Sequence, residues 1–287
     1  MIDTVSWPLA LALAVHLLAL CSLWGCLLFL RLPGQVAAES LEPWCSIMCG
    51  AALLVAALGQ GLWLCAAAAQ ISGSDDAFSF DTDLLRTFVA GSQFGQLWLV
   101  RSGLLLVTVA LWWQRPSGRS LDRELLPWAG ALLISLAASG HGGAADGVRR
   151  LLLPVLAVHL AAVGAWIGSL PPLAHLAGKG ASAALSEAVR RYRSFGQTAV
   201  LAAALSGIAA VGLLCRGQAL SWQADWTRLL GIKFALVLTM AGLGAVNRFL
   251  LADGNPSRLR MVVTLEYAVA ALVVTAAALL SQTSPPV

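Results

Sequence analysis

Two histidines stand in the same short phrase, each inside an apolar run: Ala14-Val15-His16-Leu17 and Ala157-Val158-His159-Leu160. In both copies an alanine follows three positions after the histidine (Ala19, Ala162) and a glycine nine after it (Gly25, Gly168). A tryptophan sits nearby in each, Trp24 and Trp166. Ionisable side chains are costly in hydrocarbon and are functional-site candidates when they occur there. Imidazole is a good ligand for copper, zinc or haem iron. Two copies at matched positions point to a duplicated protein with paired ligand sites at one membrane depth. The competing reading is a pair of neutral histidines hydrogen-bonded to neighbouring helices, carrying no chemistry.

Other side chains extend this set. His141, in Ser139-Gly140-His141-Gly142-Gly143, falls where an apolar run ends on the same side as the two histidines. Its flanking glycines let the backbone turn sharply and keep the ring accessible, which suits a capture ligand. Cys45, Met48 and Cys49 stand at i, i+3 and i+4 and so share one helix face. Three soft sulfur atoms on one face suit Cu(I), although small and flexible residues on a packed face would look the same. Arg101 and Lys233 occupy matched places when Phe94–Arg101 is laid on Trp226–Lys233. They could snorkel to the interface; their charges would repel a metal ion and would suit an anionic group such as a haem propionate. His175, after Pro171-Pro172, reads as interfacial. No Walker A motif, Gly-rich nucleotide loop or CxxC occurs, which excludes an ATP-driven pump unless a partner supplies the ATPase.

The elements that must position these groups are membrane helices. Hydrophobic residues make up 59% and charged residues 11%, with mean hydropathy +0.81, against about 25% charged in an ordinary soluble domain. A spanning helix needs about 20 apolar residues. Eight runs fit: residues 7–30, 44–71, 95–113, 126–140, 151–170, 195–215, 229–251 and 261–281. The expected fold is therefore all-α, a polytopic membrane protein of eight helices. They would form two parallel four-helix repeats, 1–143 and 144–287, related by an axis along the membrane normal. Gly164 and Gly168, with Gly50, Gly59 and Gly61, are expected to permit close helix contact. The six cysteines, all within or beside these runs, read as buried small hydrophobes and form no disulfide framework.

Loop charge sets the expected orientation. Loops after odd-numbered spans carry eleven cations: Arg31, Arg115, Arg119, Arg123, Lys179, Arg190, Arg191, Arg193, Arg248, Arg258 and Arg260. The opposite side carries five: Arg86, Arg149, Arg150, Arg216 and Arg228. The positive-inside rule makes the first group cytoplasmic and both termini periplasmic. The outward segment with Asp75, Asp76, Asp81 and Asp83 is then an acidic loop. No Lys or Arg precedes the first run, so it is expected to stay as an anchor and not to be cleaved as a signal peptide. The net charge of +4 follows from topology and implies no nucleic-acid partner.

Several stretches together resemble the CopD/PcoD family of bacterial copper-resistance inner-membrane proteins. They are Gly140-His141, Ala157-Val158-His159-Leu160-Ala161-Ala162 leading to Trp166-Ile167-Gly168, Arg193-Ser194-Phe195-Gly196, Leu230-Gly231-Ile232-Lys233 and Asn247-Arg248. The likeness runs over nearly the whole chain and is densest from 140 to 250. It implies an eight-helix plasma-membrane protein, not an enzyme, that handles copper (Cu+ or Cu2+) between periplasm and cytoplasm. Import and a periplasmic copper-binding partner of the CopC type are also implied. Carried onto this chain, the metal-handling residues are His141 and His159, with His16 added by the internal repeat; the sulfur face of Cys45, Met48 and Cys49 is separate from the family pattern. The rival reading is a haem b electron-transfer protein with His16 and His159 as axial ligands and Arg101 and Lys233 on the propionates. Oligomeric state is not legible.

The charge bias carries a direct test. A cysteine placed at Arg119 should resist an impermeant thiol reagent in intact cells, and its labelling would reverse the whole orientation.

Overall fold

A serine, threonine or asparagine side chain followed by an apolar run starts several helices, and proline supports two of these starts. Ser6 accepts a hydrogen bond from Leu9 N at 3.4 Å with Pro8 behind it, Ser92 accepts from Gly95 N at 2.9 Å, and Asn255 accepts from Arg258 N at 3.1 Å ahead of Pro256. These caps satisfy backbone donors that the helix itself cannot. The computed structural model describes residues 5–32, 35–73, 82–115, 120–139, 148–215, 218, 220–252 and 255–285, the side chains of 35–37 and 248–252 excepted.

The helices are α1 (Trp7–Phe29), α2 (Gln35–Ser72), α3 (Thr82–Gly91), α4 (Gln93–Trp113), α5 (Leu121–Ser135), α6 (Arg149–Gly168), α7 (Leu170–Gly178), α8 (Ala183–Cys215), α9 (Asp225–Ala252) and α10 (Pro256–Leu280). Among the described residues there is no strand. Among the described residues seven stretches are long and apolar enough to cross a membrane, with α6 and α7 together making one of 30 residues. The protein is a polytopic all-α membrane protein. Large apolar side chains such as Leu54, Leu58, Leu205, Ile208, Phe234 and Leu272 point outward, as a lipid-facing surface requires.

Element boundaries depart from the sequence expectations in four places. The fourth expected span, 126–140, is the 15-residue α5 followed by a 3-10 turn at Leu136–Ala138, and falls below the length of the other seven. The run ending at Pro171-Pro172 does not end there. The two prolines lie in the first turn of α7, where a missing N–H costs nothing, so the chain bends at Ser169 and continues helically. The cations Arg190, Arg191 and Arg193 lie not in a loop but on the early turns of α8, where Glu187 pairs with Arg190 and Arg191. The acidic segment contains α3, which carries Asp83; Asp75, Asp76 and Asp81 lie outside the described residues.

α1 forms the centre, packed against α2, α5, α6 and α10. Its contact with α6 is backbone on backbone. A Cβ added at Gly168 would lie 1.8 Å from Cys21 O, and one at Gly25 would lie 2.4 Å from the carbonyl carbon of Gly168. Small residues allow such approach where lipid provides no hydrophobic drive for helix association. At the far ends, Gln282 after α10 clamps Ser6 before α1: Ser6 N donates to Gln282 Oε1 at 2.9 Å and Gln282 Nε2 donates to Ser6 O at 3.1 Å. The first and last helices therefore begin and end on one side.

Gly168→Ala should lower the thermal midpoint of the detergent-solubilised protein, because neither backbone can yield without opening the α1–α6 crossing. Overpacking of this kind typically costs about 1–3 kcal/mol. Gly61→Ala on α2, with nothing within 4 Å of the new methyl group, is the control and should be neutral or slightly stabilising.

Candidate functional site: two imidazoles held by backbone carbonyls

Each of the two repeated histidines is held through Nδ1 by a backbone carbonyl of a neighbouring helix. His16 of α1 donates from Nδ1 to Ala56 O of α2 at 2.8 Å. His159 of α6 donates from Nδ1 to Ala203 O of α8 at 3.0 Å, with Ser206 Oγ at 3.2 Å. A carbonyl only accepts, so in the neutral ring Nδ1 carries the proton and Nε2 carries the lone pair. Backbone carbonyls fix metal-ligating histidines in this way. A glycine makes room beside each histidine: a Cβ at Gly59 would stand 2.9 Å from the His16 backbone N, and one at Gly207 would stand 3.1 Å from the His159 ring at Cε1. Gly59 was legible only as a packing residue; its seat under a histidine needed the three-dimensional pairing.

Around His16 the site is closed. The residue is fully buried and its Nε2 has no hydrogen-bond partner. The Trp63 indole lies with its ring centroid 6.1 Å from the imidazole, and Arg101 places its guanidinium 5.4 Å above the same indole. Arg101 does not snorkel to the interface. It is wholly buried, donating from Nε to Ser135 Oγ at 3.2 Å and from Nη2 to Ser135 O at 3.2 Å and to Ser139 Oγ. The serines at the end of α5 and just beyond it replace the water that a snorkelling arginine would seek. Nearby, Gln60 Nε2 donates to Trp98 O at 3.2 Å and to Ser102 Oγ at 2.8 Å. Its Oε1, like Arg101 Nη1, is buried without a partner. His159 is half-buried, and the charge of Lys233 reaches it as that of Arg101 reaches His16.

Models of two families match the chain: copper resistance protein D-like, N-terminal domain, over residues 1–151, and copper resistance protein D over residues 186–280. The chain belongs to the copper resistance protein D family. Neither a curated protein nor a solved structure matches it. This copper-resistance protein carries His16 in the first matched segment, while His159 lies between the two matched segments.

The family member has four further sequence candidates, one before α6 and three on α2. His141 lies outside the described residues. Cys45 and Cys49 are buried, while Met48 is half-buried and packs against the core. The two cysteines lie near Cys26 of α1, which is buried in the same core. Among the described residues, no group of three or more His, Cys, Asp or Glu side chains is arranged to hold a metal ion. His175 stacks on Trp44, centroids 4.4 Å apart.

One buried group escaped the sequence reading. Glu266 of α10 is 2% exposed and lies inside the bundle. A single carboxylate in an otherwise apolar run was the available signal.

Gly207→Leu should displace the His159 ring while leaving the histidine in place. Copper sensitivity and cellular copper content at matched protein level should move toward those of His159→Ala; wild-type values would show that ring placement is unimportant.

Proposed function

We propose that this copper-resistance protein imports copper through the bacterial inner membrane, using His16 and His159 in the outer half of the bilayer. One observation carries the reading: His16 is locked through Nδ1 by a backbone carbonyl, while Nε2 is buried, unpartnered and aimed at no acceptor or donor of the protein. A histidine serving only as a helix–helix bridge does not need that second nitrogen, and burying it unpaired costs about 1–3 kcal/mol. A ligand nitrogen held in the correct tautomer is what a copper site requires. His159, bound to its own neighbour in the same way, supports a second site of the same kind and the duplication into two four-helix halves.

A lone imidazole beside a guanidinium holds a cation weakly. Weak, repeated sites suit passage, since an ion must leave each site as readily as it enters. His141, with its glycines, is proposed to receive copper at the periplasmic surface from a CopC-type protein. The Ser6–Gln282 clamp supports an even number of crossings, and α5 with its 3-10 turn is then the eighth. Its 18 residues rise about 27 Å, close to the hydrocarbon thickness of roughly 30 Å. With the charge bias, both termini are then periplasmic.

The haem reading draws no support here. It needs Arg101 at the outer surface for a propionate, and Arg101 is committed to Ser135, Ser139 and Trp63 in the interior.

His159→Ala should abolish copper-dependent accumulation with near-normal membrane expression, and His16→Ala should do the same if both ligands act in series. His175→Ala loses only a stack on Trp44, about 0.5–1.5 kcal/mol, and should leave accumulation unchanged. Wild-type copper uptake by His159→Ala at equal protein level would remove this residue from the mechanism.

A further inference from the structure

Two turns beyond His159 on α6, Trp166 meets the buried carboxylate of α10. Trp166 Nε1 donates to Glu266 Oε1 at 2.9 Å, and Asn247 Nδ2 of α9 donates to Glu266 Oε2 at 2.6 Å. All three side chains are buried, and no Lys or Arg among the described side chains forms an ion pair with the carboxylate. An ionised carboxylate taken out of water is expensive unless paired with a cation, and two neutral donors do not offset that cost. Trp166 is about 10 Å further along α6 than His159, so the carboxylate it meets lies at a different depth from that histidine.

The surroundings explain how the group can exist in two states. Asn247 Oδ1 is buried and has no partner. Rotating the amide would exchange its N–H₂ and oxygen, so the same side chain can donate to a carboxylate or accept from a carboxylic O–H. Trp166 Nε1 can donate to the other oxygen in either state. Gly244 of α9 lies beside the carboxylate, where a Cβ would sit 3.5 Å from Glu266 Oε1. The other ionisable groups nearby are committed elsewhere. The Tyr192 hydroxyl of α8, whose charge would act on Glu266, accepts from Ser169 Oγ at 3.3 Å. The Tyr267 hydroxyl on α10 itself bonds Ser22 Oγ of α1 at 2.8 Å. His175, the single ionisable residue of α7, stacks on Trp44.

We propose that Glu266, with Asn247 and Trp166, is a proton-binding site that couples copper passage to proton movement. Uptake forms an O–H bond on the carboxylate from an aqueous proton, and the Asn247 amide turns to accept it; release reverses both. No electron moves and no further reactant is needed. Coupling, though not the proton site itself, rests on the transport reading above.

Infrared difference spectroscopy of the full-length protein in mild detergent, recorded across a pH step, tests the site. Wild type should show a buried carboxylic C=O band that is absent from Glu266→Gln and displaced, not lost, in Trp166→Phe. Retention of the same band in Glu266→Gln, or no such band in wild type, would overturn the proposal. The coupling is read in proteoliposomes with a trapped pH dye and Cu+ supplied outside under a reductant. Wild type should change internal pH as copper moves; Glu266→Gln should lose that change while still binding Cu+ at equilibrium. A wild-type pH change in Glu266→Gln would end the coupling. Vesicles in which wild type moves no copper would refute the transport reading instead, and the infrared result would still decide whether Glu266 binds the proton.

Discussion

The bundle is organised by the contact of α1 with α6, where Gly25 and Gly168 meet with no side chain between them. In lipid, apolar side chains gain nothing by leaving other apolar groups, so helices associate through close packing and hydrogen bonds. The glycines bring the two backbones near enough for Trp24 Nε1 to donate to Ala161 O at 3.0 Å. The Trp24 ring then fills the space that Gly130 of α5 and Gly164 of α6 leave open. One crossing therefore ties together three helices. Each histidine lies nine residues from its glycine, so a contact between equivalent glycines also sets the two imidazoles at equal distances from the crossing.

The same constraint governs the polar interior. With no water available, a buried polar group finds a partner in the protein or remains orphaned at a cost. Most partners here are backbone carbonyls and serines: Ala56 and Ala203 for the histidines, Ser135 and Ser139 for Arg101. Against that background the unsatisfied atoms stand out. His16 Nε2, Arg101 Nη1 and Gln60 Oε1 lie on three adjacent helices, α1, α4 and α2. They comprise two acceptors, His16 Nε2 and Gln60 Oε1, and one donor, Arg101 Nη1.

Much of this was legible in the sequence because it depended on periodicity and local phrase. The repeated histidines, the glycines that follow them and the helical class are all properties of short segments. What was not legible depended on long-range pairing. Arg101 reads as an interfacial residue by its position near a helix end, and only the fold brings Ser135 and Ser139 to it. Gly59 and Gly207 gain meaning from histidines more than forty residues away. The starts of α8 and α7 were missed for a different reason: hydropathy marks where a helix is apolar, whereas Glu187 with its arginines and the Pro171-Pro172 turn continue a helix beyond that region. Glu266 was hidden by averaging, since one carboxylate barely lowers the hydropathy of a 25-residue helix.

On the proposed duplication, the two halves have diverged at one place that bears on mechanism. Trp24 and Trp166 lie one position out of register, eight and seven residues after their histidines, and each faces a helix late in a half. Trp24 faces Gly130 of α5 and hydrogen-bonds to a backbone carbonyl of α6. Trp166 faces α10, where the acceptor is the Glu266 carboxylate. A structural tryptophan needs an acceptor for its N–H and nothing more, and the first half shows that a carbonyl is sufficient. A carboxylate in the second half adds desolvation cost without improving the packing, so stability does not account for it. The arrangement provides two imidazoles at matched positions but one titratable carboxyl. A device that coupled each ligand site to its own proton would have kept the acid in both halves. A single acid fits one proton event shared by the whole bundle, with α6 carrying both His159 and the tryptophan that touches the acid.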